Sequence, residues 1–482
     1  MKYDAVVIGS GISGLTSALL IAQKGKKVAI AEQAPHIAPL IAGFDRNIRI
    51  FEKMHKVHFE SGFHYGAGLG ENEICGFLFK KLGISVPAVP CDKDNCDEIH
   101  LLKSGKVFKT PVGKQSFQKR LEETFPAEKS GIAAFLDDVQ KTIDEMPFLN
   151  LHKRDYSYKE LLIWPDDDRT LQGVLDKHFK TSEIKVLLSF PTILYGTPPS
   201  KTPFSLYCSC SGLMFESIWK IKGGAGDLVT IYRKALKENN IEIFTNKKAV
   251  KIEFDEKTSD KKIIFADNSE IICETCVSSV HPKEFVKIAP EGTYRKNHIE
   301  RINSLEETPG FFILYGVLEN GKRYANTNTS FLASDNFKNV YPEGKEKMMY
   351  VNFSDTDPQC VCAVVFENGD EKEWEIPEKD YIEKKNKTVA EIKKRLKELY
   401  PEVADNVNFC DAATPKTFKK YVNYYSGYGI MHKANSVAVL PATKIPGLFL
   451  TGQAVVAPGL MGALLSSFLT DKIMSSANSK NI

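Results

Sequence analysis

An α/β fold built on an N-terminal βαβ unit, with a second sheet interleaved in the chain, is predicted by three features of the sequence. Gly9-x-Gly11-x-x-Gly14 stands between an apolar strand and an apolar helix. Strand-like segments recur after a Gly-rich turn and helix at 223–278, and the C-terminal stretch again reads strand, Gly loop, helix. The chain has 482 residues, too many for one compact core, and 43% of them are hydrophobic, too many for disorder. Two or three globular domains are therefore expected.

In chain order, Asp4–Ile8 reads as a short strand, Ile12–Lys24 as a helix with apolar residues at helical spacing, and Val28–Ala31 as a second strand after Gly25. Gly43–Gly70 is rich in glycine and aromatics without long periodicity, which predicts loops lining something. Residues ~110–220 read as mainly helical, broken at Pro191 and Pro198-Pro199. Gly223-Gly224-Ala225-Gly226-Asp227 opens a helix carrying Leu228, Ile231 and Leu236. Val250–Phe254, Ile263–Ala266 and Ile271–Ser278 are strand-like, the last two joined at the turn pair Asp267-Asn268. Phe311–Leu318, Met348–Phe353 and Val361–Phe366 predict a second sheet, followed by a charged amphipathic helix over Tyr381–Leu399. No repeat or low-complexity linker separates these parts, so the domains are interleaved.

Charge and cysteine content narrow the function. Lys and Arg number 64 against 61 Asp and Glu, a net +3, so no overall charge drives nucleic-acid binding. Lys384-Lys385-Asn386-Lys387 reads as a solvated helix face. Ten cysteines are scattered through the chain and Met1-Lys2-Tyr3-Asp4 begins no signal peptide, which predicts a reduced, cytoplasmic setting. Cys273-x-x-Cys276 lies in a strand-like run with no second ligand pair, so no metal site is expected. The uncharged run Ile445–Thr470 is long enough to cross a bilayer, but Pro446, Gly447, Gly452, Pro458 and Gly459 divide it into strand, loop and helix.

The glycine motif carries the chemistry. Gly9 permits a tight turn, Gly11 lets backbone approach a pyrophosphate, and Gly14 lets the helix pack on the strand. The phosphates then sit on free N–H groups at the helix N-terminus. Glu32 ends the second strand, about 20 residues on, where a carboxylate accepts hydrogen bonds from a ribose. Together these predict dinucleotide binding. Leu448–Gln453 runs as a strand into a Gly turn and Gly459–Ser467 starts a helix, a second helix terminus suited to a flavin ring and its ribityl chain. No other G-x-G-x-x-G occurs, so a dedicated nicotinamide site is not evident.

VVIGSGISGLTSALLIAQKGKKVAIAEQ, GFHYGAGL, GGAGDLVTIYRKAL, VSSVHP and GLFLTGQAVVAPGLMGALLSS occur in the order seen in the phytoene desaturase-like flavoproteins, and the chain most resembles their retinol saturase and carotenoid isomerase branch. The likeness covers both ends and the middle, and is loose over ~110–220 and ~290–405. It implies an FAD-binding Rossmann-type domain in a glutathione-reductase-like two-domain architecture. A discontinuous FAD domain of 1–72, 219–289 and 440–482 would enclose a substrate domain of 73–218 and 290–439, with a helical cover (~110–218) and a mixed sheet (~290–439). Gly9, Gly11, Ser13, Gly14, Glu32 and Gln33 would hold the ADP half of FAD, with the Val250 backbone on the adenine. Gly452, Gln453, Leu460, Met461, Gly462 and Ala463 would lie against the ribityl and ring. Where the family usually has a Gly-Gly pair, this loop reads Ala38-Pro39-Leu40-Ile41-Ala42-Gly43, and Ala42 fits only with a negative φ. After Gln453, where saturase-like sequences often carry an acid or amide, stands Ala454.

The resemblance further implies saturation or isomerisation of a C=C bond in a long apolar polyene, with oxidative desaturation as the alternative and a non-catalytic prenyl-lipid carrier, like the Rab GDP-dissociation inhibitors, as a remote one. His64, Tyr65, His281, Tyr425 and Tyr428 are the candidate proton-transfer or wall residues, with His432 near them; His64 and Tyr65 come first. The electron donor would be NAD(P)H or a redox protein. An apolar substrate predicts contact with a membrane surface, through a patch carrying Phe117, Phe125, Phe135 and Phe148.

Overall fold

The computed structural model describes residues 1–50, 52–162, 168–319, 323–324, 328–332, 348–356, 358–433 and 439–478. Two seven-stranded sheets organise them. The first contains β1 (Lys2–Ile8), β2 (Val28–Ala31), β3 (Glu242–Phe244), β4 (Ala249–Phe254), β5 (Lys261–Phe265), β6 (Glu270–Ser278) and β7 (Leu448–Leu450). Its order is β4-β5-β6-β1-β2-β3, and β7 pairs in parallel with the end of β6, Cys276–Ser278 against Leu448–Leu450. β1 runs parallel to both β2 and β6. Helices cover such a sheet on both sides, which is why Val6-Val7-Ile8 and Val28–Ala31 read as unbroken apolar runs.

Four helices matter for the site: α1 (Ile12–Ala22), α2 (Gly224–Glu238), α3 (Pro282–Ile288) and α4 (Gly459–Asn478). α1 stops where Gly25 takes φ 76° and returns its N–H to the Ala22 carbonyl at 2.9 Å. α4 packs against α1, so the last helix of the chain lies beside the first.

The second sheet has the order Val407–Ala413, Gly310–Leu318, Cys360–Glu367, Met349–Phe353, Asn328–Leu332, Asp97–Leu101, Lys106–Thr110. Its central strands are buried on both faces. Phe311, Ile313, Tyr315, Tyr350 and Cys362 face the main core, whereas Phe312, Leu314, Met349, Val351 and Ala363 face a satellite core under the helix Glu378–Leu399. That helix buries Thr388, Ile392 and Leu396, one per turn, and leaves its lysines largely in solvent, as the sequence predicts. The hairpin 97–110 joins the sheet by parallel pairing of Asn328–Leu332 with Asp97–Leu101, an addition from outside the expected ~290–439 stretch.

Two expectations are corrected. The stretch after Gly43 is not all loop: Phe44–Ile50 and Lys53–Phe59 form an antiparallel hairpin. It buries Ile48, Ile50, Val57 and Phe59 on one face, a short period-2 signal masked by the charged residues between them. Phe117, Phe125, Phe135 and Phe148 form no surface patch; all are buried, because the helices that carry them pack on one another. Among the described residues no helix is long and apolar enough to cross a membrane, and no His/Cys/Asp/Glu cluster has metal-holding geometry.

Candidate cofactor and active site

The glycine turn is shaped by one serine. Gly9 has φ +94°, and a Cβ there would stand 2.4 Å from Ser279 Oγ. A Cβ at Gly14 would come within 2.1 Å of the Gly9 carbonyl oxygen and 3.1 Å of Ser279 Oγ, which itself donates to the Ile8 carbonyl at 3.0 Å. β1, β6 and α1 thus meet too closely for side chains. Gly11 is different: a Cβ there meets no atom of the described residues within 4 Å, and the position lines a cavity. No side chain caps α1 at Gly11, so the N–H groups of its first turn face that space.

A second helix start opens on the same cavity. Gly452 follows β7 at φ +119° and donates its N–H to Ser466 Oγ at 2.9 Å, leaving Pro458, Gly459, Leu460, Met461 and Ala463 along the wall. Gly462 does not line it; its Cβ would lie 1.8 Å from the Ala457 carbonyl oxygen, so glycine is required for the loop to fold back on the helix. Gln453 and Ser13 are on the wall.

Glu32 is buried at the end of β2. Its carboxylate accepts from Ser10 N–H (2.8 Å), Ser10 Oγ (2.6 Å) and Ala34 N–H (2.7 Å), which fixes it while leaving lone pairs toward the cavity. Gln33 also lines the cavity, but its amide donates to the Tyr421 carbonyl and accepts from Asn423 Nδ2, tying β2 to the loop after Pro415–Val422. In β4 the register slips between Ala249 and Lys251, so Val250 has no ladder partner and is 42% exposed on the cavity rim. A bulge frees the backbone N–H and C=O that an adenine edge needs. In the departing loop, Ala42 has no positive φ, and the left-handed positions fall on Ala38 (φ 51°) and Gly43 (φ 68°).

The cavity is about 650 Å³ and continuous from this cradle to an apolar chamber lined by Ile193, Met214, Phe311, Ile313, Val364 and Tyr428. The loop carrying His64 and Tyr65 is held at its wall by reciprocal hydrogen bonds between Gly66 and Trp219 (3.0 and 2.9 Å). Tyr65 is buried and its hydroxyl has no partner among the described residues; burial, with Asp97 nearby, pushes its pKa well above 10 and keeps it a neutral phenol. His64 Nδ1 lies 3.4 Å from Glu60 Oε2. Burial works against that carboxylate, yet His64 and the Ala225 N–H (2.9 Å) hold it below its ordinary range.

His281 lines the cavity just beyond β6, where its Nδ1 caps α3 by accepting the Lys283 N–H at 3.3 Å. Tyr428 lines it too, edge-on to Phe311 with ring centroids 5.4 Å apart. Tyr425 does not: its hydroxyl donates to Glu375 at 2.6 Å, in the satellite core, so its sequence neighbourhood misleads. His432 bonds the Gln453 carbonyl at 2.9 Å from behind the wall. Ser279 and Tyr350 belong to the wall and were not singled out in the sequence, although the Ser-Ser-Val-His-Pro string holds the first; Tyr424 stands on the wall with them. Glu60 gave no sequence signal, since its partner Ala225 is 165 positions away.

A Rossmann-like sheet with its glycine turn, joined through one cavity to a second sheet, defines a mixed α/β fold with a dinucleotide-binding N-terminal unit. The family described as NAD(P)-binding Rossmann-like domain matches residues 7–81. The all-trans-retinol 13,14-reductase of Rattus norvegicus is 23% identical over 540 residues, covering 99% of this chain and 86% of that protein. The chloroplastic prolycopene isomerase of Daucus carota is 24% identical over 495 residues, covering 96% and 79%. A solved putrescine oxidase, a triple mutant with redesigned cofactor binding, superposes with a TM-score of 0.66 at 12% identity over 99% of both chains. The chain's homologues are thus retinol 13,14-reductases and prolycopene isomerases, and the resemblance seen in its motifs holds along its length.

Proposed function

We propose that this chain is an FAD-dependent oxidoreductase that reduces or isomerises a C=C bond in a long apolar polyene such as a retinoid or carotenoid. The observation that carries the reading is one continuous cavity running from a phosphate cradle, open at Gly11, to an apolar chamber with the Tyr65 phenol, unpartnered among the described residues, in its wall. The names of the homologues favour the same substrate class.

The residues present fit FAD. The first turn of α1 would take the pyrophosphate, Glu32 the ribose hydroxyls, the unpaired Val250 backbone the adenine, and the α4 start with Gly452 the flavin end. When bound, FAD supplies hydride transfer to or from carbon. The protein's part is to orient and to handle the proton. Phe311, Ile313 and Val364 hold an extended hydrocarbon and exclude water. Tyr65 stays a neutral phenol in the wall and is the first candidate to hand a proton to carbon, with His64, paired to Glu60, the second. NAD(P)H or a redox protein as electron donor, and substrate uptake from a membrane surface in the cytoplasm, complete the proposal.

Anaerobic incubation of the reduced holoprotein with retinoids, carotenoids and unsaturated fatty acids, followed by product mass, tests it. A gain of two hydrogens identifies a saturase, and unchanged mass with altered geometry an isomerase. A loss of two hydrogens from the substrate on incubation with oxidised protein would identify the desaturase, and a colourless protein retaining prenyl lipid would overturn the enzyme reading.

A further inference from the structure

Cys91 and Cys96 are two free thiols in hydrogen-bond contact at the ends of one pinned loop. Cys91 follows the strand Ala88–Pro90 and donates its backbone N–H to the Ile218 carbonyl at 2.9 Å. Cys96 precedes the strand Asp97–Leu101 and donates its own N–H to the Thr110 carbonyl at 2.9 Å. Between them Asp92 Oδ1 accepts from Asp94 N–H (2.8 Å) and Asn95 N–H (2.9 Å), and Val112 N–H bonds the Lys93 carbonyl at 2.8 Å. These bonds fix the path of the chain that joins the two sulfurs. Access to the sulfurs differs: Cys96 is only 2% exposed, whereas Cys91 is half-buried.

That asymmetry suits an attacking thiol and a resolving one. The Cys96 S–H donates to the Cys91 sulfur and is the largest influence lowering the Cys91 pKa; burial opposes it, Lys220 assists, and Asp97 and Asp355 oppose. The same bond, together with burial, raises the pKa of Cys96. Cys273 and Cys276 on β6 also share a hydrogen bond, but both are fully buried and offer an oxidant no entry. The place of the first pair matters. The strand Trp219–Ile221 bonds Ala88–Pro90 along one edge, and at Trp219 bonds Gly66 along the other. Cys91 therefore stands one strand away from the Tyr65–Gly66 loop, and negative charge on either sulfur bears on the Tyr65 phenol.

We propose that Cys91 and Cys96 form a reversible dithiol–disulfide site beside the Tyr65 loop, oxidised by small-molecule disulfides of the glutathione class. The Cys91 thiolate attacks one sulfur of the oxidant, which forms a mixed disulfide and expels one thiolate. Cys96 then gives up its proton and attacks the Cys91 sulfur, closing the protein disulfide and releasing the second thiol. Overall the protein loses two protons and two electrons, and one small disulfide becomes two thiols. The sulfurs have only to approach from hydrogen-bond contact to about 2 Å. Excess thiol reverses both steps, so the bond is transient in a reducing compartment. The site does not depend on the FAD reading above.

The test equilibrates the full chain with mixtures of oxidised and reduced glutathione, blocks free thiols with iodoacetamide and digests with trypsin without reduction. Cleavage after Lys93 parts the two cysteines, so only a disulfide keeps their peptides joined. The joined peptides, lighter by two hydrogens than the reduced pair, should appear with oxidised glutathione and vanish with dithiothreitol. Cys96→Ser should instead retain glutathione on Cys91. In untreated protein, Cys91 should alkylate at least ~10-fold faster than Cys96. Three results each overturn the proposal: both peptides fully alkylated after oxidised glutathione alone, glutathione retained on wild-type Cys91, or a link from either residue to a third cysteine. If Cys96→Ser does not fold, the wild-type peptides decide alone.

Discussion

Ser467 Oγ donates to the Ser13 carbonyl oxygen at 2.9 Å, sharing its proton with the Ala463 carbonyl at 3.0 Å, and so ties the first turns of α1 to α4 across 454 positions of chain. The bond is buried and adds to the intrahelical bonding of α1. Ser467→Ala should destabilise the protein by about 0.5–1.5 kcal/mol through loss of this interhelix hydrogen bond. It should also loosen FAD, because two helix starts share one ligand. Chemical denaturation with and without FAD checks both, and a variant with unchanged stability and flavin content would dissolve the link.

Gly11→Val should abolish flavin retention without unfolding the chain. The added side chain meets no atom of the described residues within 4 Å of its Cβ, only the space of the cradle. Gly14→Ala gives the opposite contrast: its Cβ stands 2.1 Å from the Gly9 carbonyl and must displace backbone, which predicts a loss of about 1–3 kcal/mol. Absorbance of the purified proteins and their thermal unfolding separate the two outcomes.

Tyr65→Phe deletes a buried hydroxyl that has no partner among the described residues. Stability should therefore hold or rise slightly. With flavin content matched to wild type, turnover of the polyene should fall at least ~10-fold if the phenol delivers the proton. Full activity in both Tyr65→Phe and His64→Gln would move the proton step to Tyr428 or elsewhere on the wall.

The His281 ring, held near pKa 4 by burial, makes folding acid-sensitive. Its ordinary value is about 6.5, so between the two values the unfolded chain binds a proton that the folded chain refuses. Stability is then fully present above about pH 6.5 and falls as the pH drops toward 4, by on the order of 2–3 kcal/mol. Denaturation midpoints from pH 4 to 8 should show this slope in wild type and a shallower one in His281→Asn.

The Gly9–Gly14 turn, Glu32 and the flanking strands were legible in the sequence because the contacts that set their spacing, Gly14 on the Gly9 carbonyl and Ser10 on Glu32, lie within one βαβ unit. The C-terminal Gly452 turn and α4 start were legible because Gly452 bonds Ser466, only 14 positions on. The second sheet was visible as apolar runs, but both of its faces are buried, so no alternation disclosed which residues meet the cavity and which the helix Glu378–Leu399. That division, Phe311 and Ile313 against Phe312 and Leu314, depends on a helix almost seventy positions later in the chain, or on strands from other segments. Tyr424 and Tyr425 are neighbours in sequence with opposite fates, one on the cavity wall and one bonded to Glu375, in an irregular bend whose path no sequence periodicity discloses. Sequence alone determined the elements whose hydrogen bonds close locally. Tertiary structure decided the rest, including the Ser279 hydroxyl that requires glycine at position 9 and the Val250 bulge, since these arise only where distant segments compete for one volume.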